Sequence, residues 1–212
     1  MTQSDEPKDT RVRIIEGAFK ALNKEGLPPL SYDRIAAEAG VSRQLVRYHY
    51  EDPETLMVAI CDFLANAYRE ALLQNAAQLV GSARLEMFLD FYFDLIDGVG
   101  KPRDDAVYDA MMSIAAGSLR VRENLRGQYV LLGQVLSHEF QLAHPELGKQ
   151  SSEELSYLFV ALMYGHWKMV ASLGVSSGHN QLTRNAMDRL IQSYVDAGTP
   201  VSALDRVWSA EP

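Results

Sequence analysis

One cysteine in 212 residues, Cys61, leaves no partner for a disulfide within the chain. A crosslinked secreted scaffold is thereby excluded. Positive charge is also scarce: 20 Lys and Arg stand against 28 Asp and Glu, for a net charge of -8 and a sequence pI of about 5.1. Taken whole, such a chain is repelled by nucleic acid and by anionic lipid. Long apolar runs are missing too. The nearest approach, Leu155 to Leu173, is interrupted by Tyr157, Gly165, His166 and Lys168 and has no basic flank to orient it, so it reads as a buried helix. The opening MTQSDEPKD lacks the basic patch and apolar core of a secretory signal, and the expectation is a cytoplasmic, reduced protein.

Residues for hydrolytic or metal chemistry are equally thin. His138, His144, His166 and His179 are scattered, with no histidine pair at metal-binding spacing, no glycine-rich phosphate loop and no nucleophile elbow. In HEFQLAH, a gap of six puts His138 and His144 on different faces of a helix. No catalytic residue, metal or cofactor is expected, and the chain is not read as an enzyme.

What the sequence has in abundance is helical periodicity. Ile15, Ala18, Phe19 and Leu22 form a stripe on a first helix that begins near Thr10 and stops at Gly26, with Pro28 and Pro29 in the break beyond. Ser31 caps a short second helix carrying Ile35, Ala36 and Ala39, which ends at Gly40. Ser42 caps a third, Arg43 to Tyr48, and Pro53 starts a longer fourth. Further helices are expected over Leu85 to Val99, Asp104 to Ala116, Arg120 to Ala143, Ser152 to Leu173 and Gln181 to Ala197. No alternating pattern suggests a sheet, so the fold class is all-α with about nine helices.

The stretch YDRIAAEAGVSRQLVRYH, Tyr32 to His49, has the spacing of a helix-turn-helix. Ala36 is small where two helices cross at a steep angle, Gly40 makes the short turn, and Ile35, Ala39, Val41 and Val46 fill the shared core. An unrelated helical hairpin satisfies the Ala, Gly and Val triple equally well; the flanking residues separate the two. With RIIEGAFKALNKEG before it and RQLVRYHYEDPETL at its end, the first 60 or so residues resemble the TetR family of bacterial transcriptional regulators. The resemblance rests on Ser31, on Ile35 with Ala36, on Ala39 to Ser42, on Tyr48, His49 and Tyr50, and on Glu54 with Leu56.

Residues 1–9 are polar, contain Pro7 and show no periodicity, so they read as a mobile arm; the resemblance implies a DNA-binding head over 10–52 and a helical regulatory, ligand-binding and dimerising part over 53–212. It implies contacts to double-stranded DNA by Ser31, Ser42, Arg43, Gln44, Leu45, Arg47, Tyr48 and His49, and so a nucleoid-associated protein. Gln44 and Arg43 are the expected base readers, through adenine N6 and N7 and guanine O6 and N7, and Leu45 reaches a thymine methyl or packs inward. Ser31, Tyr48 and His49 hold phosphates, with Arg47 added on its charge. The sequence departs from the family pattern at Gln44 and Leu45, where small residues are usual, at Arg47, where tyrosine is usual, and at Pro53, where lysine is usual. Pro53 removes a cation but leaves a helix start open to a phosphate. Tyr50 reads as a core aromatic.

Charge divides along the same line. Residues 1–50 hold eight Lys or Arg against seven Asp or Glu, or +1, and the remainder is -9. A head so weakly cationic calls for a homodimer on a palindromic operator. The last two helices are the expected dimer elements, through Leu155, Phe159, Leu162, His166, Leu182, Ala186 and Leu190; closure of a monomeric core is the alternative. Phe88, Tyr92, Tyr108, Met112, Tyr129 and Trp167 are the expected lining of a pocket for a small hydrophobic or aromatic effector, residue types that fill a plain core just as well. A ligand-released repressor is the reading; a helical adaptor or a small-molecule-binding protein without DNA specificity is the rival.

Overall fold

The computed structural model describes residues 9–25, 31–98, 105–198 and 207–208. Among them are nine α-helices and one π-helical turn, with no strand. They run α1 (Thr10–Glu25), α2 (Tyr32–Ala39), α3 (Arg43–His49), α4 (Pro53–Ala76), α5 (Gly81–Tyr92), α6 (Asp105–Gly117), α7 (Leu119–Ala143), α8 (Lys149–Trp167), the π-turn (Lys168–Ser172) and α9 (His179–Ala197). The all-α expectation holds. The expected arm, apart from Asp9, the stop at Gly26 and the break at Pro28 and Pro29 lie outside the described residues.

Several helix ends differ from expectation: α5 begins at Gly81 and α9 at His179, ahead of the expected Leu85 and Gln181. α5 stops at Tyr92 instead of Val99, because Phe93 turns fully inward and Asp94 adopts φ of 59°. A distant side chain stabilises that early stop: Trp167 donates its indole N–H to the Tyr92 carbonyl at 2.9 Å, satisfying one of the end carbonyls a helix leaves unpaired. α8 starts at Lys149, ahead of the expected Ser152, and its last turn loosens into the π-helical stretch.

The chain divides into two compact units. Unit 1 is Met1–Asn66 with Arg103–Leu125, and unit 2 is Ala67–Pro102 with Arg126–Pro212. The boundary expected after Asp52 therefore falls inside unit 1, which also takes in α6 and the first turns of α7. Its core is Ile14, Ala18, Leu22, Ile35, Val46, Leu56, Ile60, Leu64, Met111 and their neighbours. The inward stripe of α1 centres on Ile14, Ala18 and Leu22; Ala18 and Leu22 of the expected stripe are buried, whereas Ile15 and Phe19 are half-buried at its edge.

Cys61 lies in this core with its Sγ 2.9 Å from Met111 Sδ. Burial pushes its thiol up to about 12, so it stays protonated and serves as apolar filler.

The core of unit 2 is aromatic. Phe88, Phe91, Phe93, Phe140 and Phe159 are buried in it with Leu85, Leu136, Met187 and Ile191. Arg184, almost wholly buried, is held by Asp90 at 2.8 Å and by Glu86 and Asp188, which ties α9 to α5. Trp208 donates to Ser156 Oγ at 2.7 Å and meets the Tyr157 ring edge-on, which places that indole against α8.

Candidate nucleic-acid interface and effector site

The helix-turn-helix is held by close backbone approach. A Cβ built on Gly17 would lie 2.7 Å from the Ala39 backbone nitrogen, so α1 and α2 touch where glycine leaves room. Gly40 has φ of 63° and ψ of 40°, the left-handed conformation a glycine C-cap adopts readily. Arg13 of α1 donates through Nη2 to the carbonyls of Ala39 and Gly40 at 3.0 and 2.8 Å, satisfying acceptors that the end of α2 leaves open. No reading of the second and third helices alone points to Arg13.

At the other side of the turn, Ser42 Oγ accepts from the Leu45 N–H at 3.1 Å and fixes the first turn of α3. Ser31 occupies the equivalent position before α2, but its side chain makes no capping bond. α3 presents Arg43, Gln44, Arg47 and Tyr48 outward, with Leu45 and His49 half-buried and Val46 fully buried. Tyr48 is 80% exposed, its ring edge-on to His49 at 5.2 Å. An aromatic so exposed is not held there by the core. Tyr50 is buried, as expected, and burial raises its phenol above the ordinary tyrosine range. Arg43 is paired with Asp33 of α2 at 3.2 Å, an exposed bridge weak enough to be exchanged for another acceptor.

The start of α4 differs from the expectation attached to Pro53. The helix does begin at that proline, but Asp52 accepts from the Thr55 N–H at 3.0 Å and from the Thr55 hydroxyl. Those bonds pull the Asp52 carboxyl below its usual range, so it is ionised and occupies the helix start that a phosphate would need. The signal was present in the sequence as Asp, Pro, Glu, Thr.

The expected pocket residues are divided between the two units. Tyr108 and Met112 pack against the core of unit 1, whereas Phe88, Tyr92, Tyr129 and Trp167 belong to unit 2. Periodicity shows which face of α6 is apolar, not which core it joins. In unit 2 the rings form a connected set: Tyr92 stacks on Tyr68 at 6.4 Å, meets Phe91 edge-on at 5.4 Å and meets Phe159 edge-on at 5.8 Å. Burial, with a smaller contribution from Tyr129, raises the Tyr92 phenol well above the tyrosine range.

Leu155, Phe159 and His166, expected at a dimer face, are buried in their own unit. They follow the inner face of α8 together with Met163, and His166 is further engaged by Asn180 at 3.0 Å and Thr183 at 2.9 Å. Leu162 and Leu190 are half-buried, and Leu182 and Ala186 are exposed, as are Tyr157, Ala161 and Gly165 on α8.

The histidines of HEFQLAH do not converge. Glu139 is turned inward onto Arg84 at 2.6 Å, His138 is exposed, and His144 meets Glu146 at 3.3 Å. No group of three metal-binding side chains is found among the described residues, and no described helix is long and apolar enough to cross a membrane.

No protein-family model matches the chain. Over 167 residues it is 28% identical to the HTH-type transcriptional regulator BetI of Escherichia coli, a match covering 77% of this chain and 83% of that one. Among solved structures, a TetR transcription regulator from Haloarcula marismortui shares 19% identity with a TM-score of 0.74, covering 87% of this chain and 97% of the other. A regulator from Saccharomonospora viridis described as putative and solved in complex with choline shares 18% identity with a TM-score of 0.68, covering 86% and 95%. In fold the chain is similar to TetR-family transcriptional regulators, in keeping with the resemblance of its helix-turn-helix residues.

Proposed function

We propose that this protein is a DNA-binding transcriptional repressor of the cytoplasm and nucleoid, a homodimer that grips a palindromic operator and is released by a small hydrophobic or aromatic effector. The observation that carries the reading is α3: a rigidly capped helix whose outward side chains are Arg43, Gln44, Arg47 and the fully displayed Tyr48. A major groove admits such a helix, and its first turn meets the base edges. Dimerisation pairs α8 and α9 with their mates through Leu162, Leu182, Ala186 and Leu190, with Tyr157, Ala161 and Gly165 completing the face. Leu155, Phe159 and His166 support that face from beneath.

The effector site is the ring cluster of unit 2. Tyr92 is half-buried and central to the ring cluster, in contact with Tyr68, Phe91 and Phe159. Phe88, Tyr129 and Trp167 surround the same core. The choline found with the Saccharomonospora protein widens the effector class to cations with apolar bodies, which aromatic faces attract by about 0.5 to 2 kcal/mol per ring. By favouring one arrangement of the two heads, such a ligand shifts a pre-existing equilibrium.

Selection from random duplexes by the full-length protein tests the reading. A palindromic consensus bound by a dimer in sedimentation, and released by choline or a planar aromatic compound but not by a polyanion, is the expected result. No enrichment at low salt would leave the helical adaptor standing. Within that assay, Gln44→Ala is expected to change the preferred bases at one position, a discrimination worth about 1 to 3 kcal/mol. Arg47→Ala should instead weaken all duplexes alike and flatten the salt dependence. The reverse pattern would refute both assignments.

A further inference from the structure

Arg120 stands far along the sequence from the helix-turn-helix, yet it belongs to the same compact unit. Its Nη1 donates to Thr55 Oγ1 at 2.8 Å and lies 3.5 Å from Asp52 Oδ2. Asp52 in turn borders Tyr32. The Tyr32 phenol is raised by burial first and by the Asp52 charge next, while Arg47 pulls it down, so the three groups stand within electrostatic reach of one another. Tyr32 also donates its hydroxyl to the Glu51 carbonyl at 3.4 Å, and it directly follows Ser31. A continuous set of polar groups thus runs from the exposed end of α3 through Tyr32 and Asp52 to Arg120. Its outer members remain open to solvent: the Arg120 and Asp52 side chains are 54% and 50% exposed.

Charge shows why this edge needs a cation. Glu51, Asp52 and Glu54 place three carboxylates immediately after α3, and no Lys or Arg occurs between Arg47 and Arg69. A phosphate approaching Tyr48 or His49 meets those carboxylates well within a Debye length of about 8 to 10 Å. The first four turns of α4 have no cation to offset them; α7 supplies one from outside the motif.

We propose that Arg120 is part of the DNA-contact surface, binding a backbone phosphate beside the start of α4. This rests on the DNA-binding function proposed above. An exposed pair such as Arg120 with Asp52 is weak, so the guanidinium exchanges partners readily, and its planar fork fits phosphate oxygens.

The test uses the full-length protein on the duplex selected by the wild type, with log K measured against log salt concentration. Arg120→Ala is expected to weaken specific and random duplexes by the same factor and to reduce the salt slope by about one per subunit, with base preferences and thermal midpoint unchanged. Arg120→Lys should retain most of the slope. In an Asp52→Asn background, where the cap is kept but its charge removed, Arg120→Ala should still lower the slope. An unchanged slope overturns the proposal, as does an effect that vanishes in the Asn background, since Arg120 would then only offset Asp52. If the wild type binds no duplex at low salt, the DNA-binding reading falls and takes this inference with it. That outcome is distinct from a wild type that binds and a variant that matches its slope.

Discussion

Replacing Phe159 by alanine is expected to cost unit 2 about 3 to 5 kcal/mol, the range for deleting a fully buried phenyl ring. The ring has no exposed surface and sits edge-on to both Tyr92 and Phe93, at 5.8 and 5.6 Å. Its loss removes the contacts that fix those two rings as well as its own transfer term. Tyr92 belongs to the proposed effector site, so ligand affinity should fall along with stability. Urea unfolding followed by tryptophan emission checks it, since Trp167 and Trp208 both belong to unit 2. Phe159→Leu should recover most of the loss. A stability change below about 1 kcal/mol accompanied by loss of the dimer would instead return Phe159 to the intersubunit face.

The second large effect is expected at Gly17. In an unobstructed helix interior, exchanging glycine for alanine stabilises by roughly 0.5 to 1 kcal/mol. At Gly17 the sign should reverse: the new Cβ would lie 2.7 Å from the Ala39 nitrogen and 2.8 Å from its Cβ, and the nearest obstacle is backbone. Gly17→Ala should destabilise unit 1 by about 1 to 3 kcal/mol, and Gly17→Val by more. Because Ala39 immediately precedes the Gly40 turn, any yielding of α2 tilts α3, so operator binding should fall beyond what the stability loss explains. Gly127 of α7, with no atom near its virtual Cβ, is the control, and Gly127→Ala should be neutral or stabilising. Paired thermal melts and operator titrations of the variants decide it; equal behaviour at the two glycines would remove the close approach from the account.

How far the sequence could be read depended on how local each signal was. The helix-turn-helix was legible because Ser42, Gly40 and the Ile35, Ala39, Val46 set act within a few residues of one another, and the structure places them as read. Arg13 was invisible because its acceptors lie across a turn of chain that periodicity does not connect. The end of α5 was misjudged for a similar reason: the apolar pattern continues past Tyr92, and the partner that favours an early stop is Trp167. Tyr108 and Met112 pack against the core of unit 1, and an amphipathic stripe carries no label for the core it joins. α8 shows the limit most clearly. A helix apolar on several faces was read as a dimer element, and the structure assigns one of those faces, Leu155, Phe159 and His166, to its own core.

Cys61 has a practical consequence. It is the chain's single thiol, has no exposed surface, and is held protonated by burial inside the core that supports the reading head. A thiol reagent can modify it only during moments when that core opens, so the labelling rate measures the opening free energy of this one unit under native conditions. The protein thus contains its own clock for the breathing of the half that carries α3, and an operator that stills that breathing should slow the clock.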